Sequence, residues 1–129
     1  MLLRTLLIAL TMTVSVSALA DVKLTEADIL GEWKIDAESI NADGSDAKEL
    51  SSIWTFRNDG TMEGVSVDTN KHARISEFRA VIKYSIEDGK LNKQNSPGRS
   101  KFDLCTATEK NGPKMTLECN HIYFFMTKK

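Results

Sequence analysis

The chain has 129 residues, enough for one domain, and carries 17 basic against 18 acidic side chains and two cysteines. The balanced charge excludes a strongly basic nucleic-acid binder, because phosphate recognition needs a Lys/Arg excess on one face. Two cysteines exclude a disulfide-dense miniprotein and a Cys-built zinc or iron–sulfur site.

Residues 1–20 form a unit of their own. Arg4 precedes an apolar stretch from Leu6 to Val16, and Ala18-Leu19-Ala20 is a small-x-small element followed at once by polar Asp21-Val22-Lys23. This is the layout of a secretory signal peptide cleaved after Ala20. The apolar stretch is about 11 residues, short of the ~20 that span a bilayer. No membrane span is expected once it is removed. Its loss takes away Arg4 and no acid, leaving a domain over 21–129 with 16 basic and 18 acidic side chains. A periplasmic or secreted location follows.

The elements of the mature chain read as follows. Thr25 caps a short helix over Glu26–Leu30, with Asp28 at the capping-box position, and Gly31 ends it. Trp33, Ile35 and Ala37 alternate with Lys34, Asp36 and Glu38, giving a first strand with a clear inner face. Residues 39–50 read as a polar, acidic loop. A second strand covers Ser52–Arg57, and Asn58-Asp59-Gly60 makes a three-residue hairpin loop. That register sets Phe56 opposite Met62 and Trp54 opposite Gly64. Gly64 either gives the indole room or marks a bulge that switches faces.

The fourth strand is the cleanest, with Phe78, Ala80, Ile82, Tyr84 and Ile86 on one face. A two-residue Asp88-Gly89 turn then pairs Glu87 with Lys90 and Ile86 with Leu91. Asn92–Lys101 reads as a polar loop. Two further strands, Phe102–Thr108 and Met115–Cys119, flank Asn111-Gly112-Pro113, and a hairpin centred on Gly112 puts Cys105 opposite Cys119. Facing residues of a non-hydrogen-bonded pair lie ~4.5 Å apart at Cα, a spacing a disulfide tolerates, and an oxidising compartment favours it. The last strand, Ile122–Met126, is apolar at every position, so its outer face needs a lid, and the N-terminal helix is the nearest candidate. About eight strands joined by short turns predict an all-β fold, an eight-stranded antiparallel up-and-down barrel with a short N-terminal helix.

No catalytic constellation accompanies these elements. There is no G-x-S-x-G, and His72 and His121 are the only histidines. His121 beside Cys119 does not complete a four-ligand site, so no metal and no cofactor are expected. Asp36, Glu38, Asp43, Asp46 and Glu49 lack the calcium-loop pattern and read as a solvated acidic segment. Arg99, Lys101 and Lys128-Lys129 are too sparse for a nucleic-acid patch. Trp54, Phe56, Met62, Phe78, Ile82, Tyr84 and Phe102 are the candidate barrel lining, either filling the interior or walling an apolar pocket.

Ile29-Leu30-Gly31-Glu32-Trp33 resembles the Gly-x-Trp signature that opens the first strand of lipocalins, and Trp54-Thr55-Phe56 with Asp59-Gly60-Thr61 is similar to the second hairpin of small bacterial lipocalin-like domains. The resemblance implies that Trp33 plugs one barrel end after Gly31 and that a basic residue of the last strand, here Lys128, packs over it. Longer lipocalins carry a helix after the last strand, so a shortened, exported relative is implied. Size and export also resemble periplasmic inhibitors of secreted metalloproteases, whose N-terminal strand enters the protease; Asp21–Leu24 is the matching segment. Exported lysozyme inhibitors and toxin-immunity proteins are similar in kind. The expected function is non-catalytic binding by a monomer, of a small apolar molecule or a secreted or periplasmic protein. The alternative is an inhibitor or immunity protein acting on a secreted protease or cell-wall hydrolase.

Overall fold

Short turns set the strand registers. The computed structural model describes residues 21–67 and 77–129; residues 1–20, read above as a signal peptide, and His72 lie outside the described residues. In chain order the elements are α1 (Glu26–Ile29), β1 (Gly31–Ser39), β2 (Lys48–Phe56), β3 (Thr61–Val67), β4 (Glu77–Glu87), β5 (Lys90–Gln94), β6 (Phe102–Asn111), β7 (Lys114–Cys119) and β8 (Ile122–Lys128). Each strand pairs antiparallel with the next and β8 returns to β1, closing an eight-stranded barrel. Closure gives every strand a neighbour on both sides, although β5 pairs only with Tyr84–Glu87 of β4.

The β2–β3 turn follows from two residues. Gly60 takes φ +81°, a region open to glycine, and the Asp59 carboxylate accepts the Thr61 amide at 3.0 Å and its hydroxyl at 2.6 Å. Phe56 then pairs with Met62 and Trp54 with Gly64. The register runs unbroken through Gly64 on both sides, so the glycine makes room and does not switch faces. At the β4–β5 turn Asp88 and Gly89 both have positive φ, the type I′ geometry that suits strand twist, and Ile86 meets Leu91.

The disulfide hairpin forms by a different route from a turn centred on Gly112. Asn111 pairs with Lys114, so the loop is the two-residue Gly112-Pro113. That register alone would misalign the cysteines by one residue. Thr108 is an extra residue in β6, between the Ala107–Leu117 and Glu109–Thr116 pairs, and it shifts the register back. Cys105 thereby faces Cys119 with Cα atoms 4.3 Å apart, and the two are bonded.

A second irregularity reverses β1. On β8, Ile35 pairs with Met126 but Ala37 pairs with Phe125, leaving Asp36 as the extra residue. Trp33 and Ile35 face inward as expected, whereas Ala37 turns outward and Glu38 shares the inward face of its partner Phe124. The outward face of β8 is covered, but not by α1. The 40–47 loop folds back over it, with Gly44 so close to Phe125 that a Cβ would lie 3.4 Å from the ring. The Ser39 hydroxyl anchors this loop by donating to the Ser45 carbonyl at 2.7 Å.

α1 instead closes one end of the barrel. The Asp28 carboxylate accepts the Thr25 amide and hydroxyl, both at 2.9 Å, which holds its pKa below the usual aspartate value. Leu24 donates its amide to the Gly89 carbonyl, Val22 to that of Ala107, and Ile29 is fully buried. The core beneath contains Trp33, Ile35, Phe56, Met62, Leu91, Met115, Leu117 and Met126, all fully or nearly fully buried.

Candidate functional site

The barrel interior has two unlike halves. At the α1 end the Trp33 indole nitrogen donates to the Ile29 carbonyl at 2.8 Å, and Lys128 lies over the ring with Nζ 5.6 Å from its centroid. Gly31 precedes it at φ +107°, and a Cβ there would meet the Lys128 stem at 3.7 Å. Gly31, Trp33 and Lys128 thus form one plug, with Trp33 only 1% exposed. Phe56 and Tyr84 stack edge-on at 5.0 Å beside it, and the Tyr84 hydroxyl donates to the Arg57 carbonyl at 2.5 Å. Burial, and then the charges of Glu26 and Asp59, push the Tyr84 pKa up. Phe56, Met62, Ile82 and Tyr84 are therefore inward and buried in packed core.

Toward the other end the inward residues are only half-buried. Trp54 lies across the interior, its ring 5.1 Å from Phe124 of β8 and 6.5 Å from Phe56. Gly64 leaves space at its edge, since a Cβ there would sit 3.7 Å from Trp54 Cδ1. Leu50 and Phe124 complete this apolar floor. Above it stands a charged pair. Lys93 pairs in register with inward Tyr84 and with Asp103, which lies two residues before buried Cys105, so both side chains face inward. Lys93 Nζ is 3.7 Å from Asp103 Oδ2 and 5.7 Å from the Trp54 ring centroid. Their side chains are 12% and 22% exposed. Burial lowers the Lys93 pKa, and Asp103 opposes that shift only in part.

Two residues of the expected lining are not there. Phe78 keeps the inward parity of β4 but sits at the strand's end, opposite Ser66, and is 63% exposed. Phe102 falls on the outward face of β6, next to inward Asp103, and is 43% exposed. With Ile40, Leu104 and Ile122 they place exposed apolar side chains around the open end. Lys93, Asp103 and Phe124 were not foreseen as lining. A signal for Lys93 was present: carrying the Asp88-Gly89 register one inward position further, past Leu91, brings Lys93 opposite Tyr84. The segment's polarity disguised it as loop.

Two clefts outside the barrel differ in character. A cleft of about 350 Å³ outside the barrel runs past Asp36, Lys114 and Phe125, where Lys114 donates to the Thr127 hydroxyl, which donates to Asp36. Another of about 560 Å³ lies outside the α1 end beside Asp59 and Tyr84, whose polar groups bond to Thr61 and Arg57. Among the described residues no group of three or more His, Cys, Asp or Glu is placed to hold a metal ion, and no helix is long and apolar enough to cross a membrane.

The eight-stranded barrel has known counterparts in fold. No curated protein matches the chain. A lipocalin-like protein from Bacteroides uniformis superposes with a TM-score of 0.60 at 12% identity, over 79% of this chain and 99% of its own. An uncharacterized protein from Bacteroides eggerthii gives 0.59 at 14% identity, over 79% of this chain and all of its own. At such identities the likeness is one of fold. A family model described as a lipocalin-like domain matches residues 29–117, from the end of α1 through Trp33, Trp54, Lys93 and Cys105 into β7. The chain belongs to the lipocalin-like domain family.

Proposed function

We propose that the chain is an exported, non-catalytic, monomeric binding protein that takes a small, largely apolar molecule into the open half of its barrel. The observation that carries this reading is the change in burial along the interior. Trp33, Phe56 and Leu91 are sealed, while inward Trp54, Leu50 and Phe124 remain half-exposed. An apolar floor reachable from one end, with a few polar groups above it, has the make-up of a small-molecule site. Export rests on the pattern of residues 1–20 and agrees with the Cys105–Cys119 bond.

The inhibitor or immunity reading draws on a free N-terminal arm or a projecting loop. Here Val22 and Leu24 are hydrogen-bonded to the barrel, and the 40–47 loop lies against Phe125. Both features favour the ligand reading. The test is titration of a Trp33→Phe variant, in which Trp54 is the only indole, with the neutral probe N-phenyl-1-naphthylamine. Saturable quenching of Trp54 at one probe per chain is expected. Absence of saturable binding, with the fold intact by circular dichroism, refutes the ligand reading.

A further inference from the structure

β5 leaves β4 before β4 ends. Their ladder covers only Tyr84–Glu87, although β4 reaches back to Glu77, and β6 begins at Phe102, opposite the last residue of β5. The next ladder pair would join Lys83 to Gln94. The Gln94 side chain takes that place instead: its Oε1 accepts the Lys83 amide at 3.1 Å and its Nε2 donates to the Arg99 carbonyl at 2.7 Å. From there back to Glu77, among the described residues, no strand adjoins β4 on that side.

Alternation fixes which backbone groups face this side. Tyr84 donates its amide toward β3, to the Gly60 carbonyl at 2.9 Å, and Lys83 donates the opposite way. Ile82, Ala80 and Phe78 therefore bond to β3, while Val81 and Arg79 aim N–H and C=O away from it. No backbone bond among the described residues meets those groups. Such an edge is a template for another extended chain.

Side chains select the occupant. Outward Val81 is exposed between Arg79 and Lys83. Arg79 is engaged by Glu63 and Glu77. Lys83, with Arg99 and Lys101 of the adjoining loop, is exposed and makes no ion pair among the described residues. A second copy paired antiparallel about Val81 would set Arg79 of each copy against Lys83 of the other, a like-charge match that opposes it.

We propose that the β4 edge from Arg79 to Lys83 docks an extended segment of another protein as an added antiparallel strand, with an apolar side chain beside Val81 and an acidic one beside Lys83. Backbone bonds at Val81 and Arg79 supply affinity, and Val81 and Lys83 supply selectivity. The proposal does not rest on the pocket reading, which concerns other atoms.

The experiment is amide NMR of the full chain titrated with the peptide acetyl-Asp-Thr-Val-Thr-Val-amide. In the free chain the Val81 and Arg79 amides should exchange with solvent faster than those of Ala80 and Ile82. The peptide should shift the first two saturably and slow their exchange. N-methylation of both its valines removes two backbone donors and should weaken it about ten-fold or more. Lysine in place of its aspartate should weaken it too, and Lys83→Glu should reverse that preference. Val81→Pro removes one donor at a position an edge strand tolerates, and should abolish peptide binding while keeping N-phenyl-1-naphthylamine binding. Circular dichroism establishes that each variant is folded. If the Val81 amide of the free chain is as protected as that of Ile82, the edge is already covered and the proposal is overturned. Equal binding of the N-methylated peptide, or no saturable shift at millimolar peptide, overturns it equally. So does a dimer in sedimentation that Val81→Pro dissociates, which would make the occupant a second copy.

Discussion

Lys93 is held by opposing influences: burial disfavours its charge, Asp103 favours it, and burial dominates. Its folded pKa therefore lies below the ordinary lysine value of 10.5. At neutral pH the native chain holds a proton that its surroundings disfavour, a penalty that unfolding relieves. As pH rises through the lowered folded value toward 10.5, the native state releases that proton before the unfolded chain does, and stability rises. Urea denaturation across that window should show the wild-type chain gaining stability relative to Lys93→Met. A pH-independent difference between the two would contradict this account of Lys93. The raised pKa of Tyr84 acts in the opposite sense above pH 10, but it is common to both proteins and cancels.

At the scale of elements, the β6–β7 hairpin combines a two-residue turn with a one-residue bulge, and only their sum aligns the cysteines. The bulge also serves the N-terminal segment, because Val22 donates its amide to the Ala107 carbonyl beside Thr108. The disulfide closes a loop of sequence separation 14, for which the chain-entropy picture gives ~3 kcal/mol. The hairpin already orders much of that loop, so a Cys105→Ser/Cys119→Ser variant should lose about 2 kcal/mol. For a domain of roughly 100 residues that corresponds to a melting temperature lower by roughly 8–16 °C. Calorimetry checks it, and an unchanged melting temperature would mean the hairpin is ordered without the bond. β1 carries the other bulge, at Asp36. By turning Ala37 outward it turns Ser39 outward too, where the Ser39 hydroxyl ties the 40–47 loop over β8.

The whole molecule divides the labour between its ends. α1, Trp33 and Lys128 seal one end, and the buried core beneath them supplies stability. The other end keeps Trp54 and Phe124 half-buried under a charged pair. Gly64 sits where these halves meet. Its added Cβ would make only ordinary contact with Trp54, at 3.7 Å. Gly64→Ala should therefore keep N-phenyl-1-naphthylamine binding and gain about 0.5–1 kcal/mol, as glycine costs that much within a strand. Gly64→Leu should fill the space beside the indole and weaken the probe about ten-fold or more, each lost 1.4 kcal/mol being one decade. Unchanged affinity in Gly64→Leu would place the probe elsewhere.

Local rules carried much of this. Asn58-Asp59-Gly60 and Asp88-Gly89 dictate their hairpins through short-range sterics and side-chain hydrogen bonds, so the Phe56–Met62, Trp54–Gly64 and Ile86–Leu91 pairs were legible from the residues alone. The Gly31–Trp33 plug was legible through family resemblance, and the cysteine pairing from the hairpin about Gly112, although the turn beneath it differs. Tertiary structure decided the rest. The bulges at Asp36 and Thr108 arise where neighbouring strands of a closed barrel must stay in register with partners on both sides, a constraint no single segment contains. Strand parity places Phe78 inward, yet its exposure depends on where the barrel ends. Lys93 and Asp103 look like solvated charges in sequence. The β5–β6 pairing sets them face to face, and only closure of the sheet brings them above Trp54, because the interior is made by all eight strands at once.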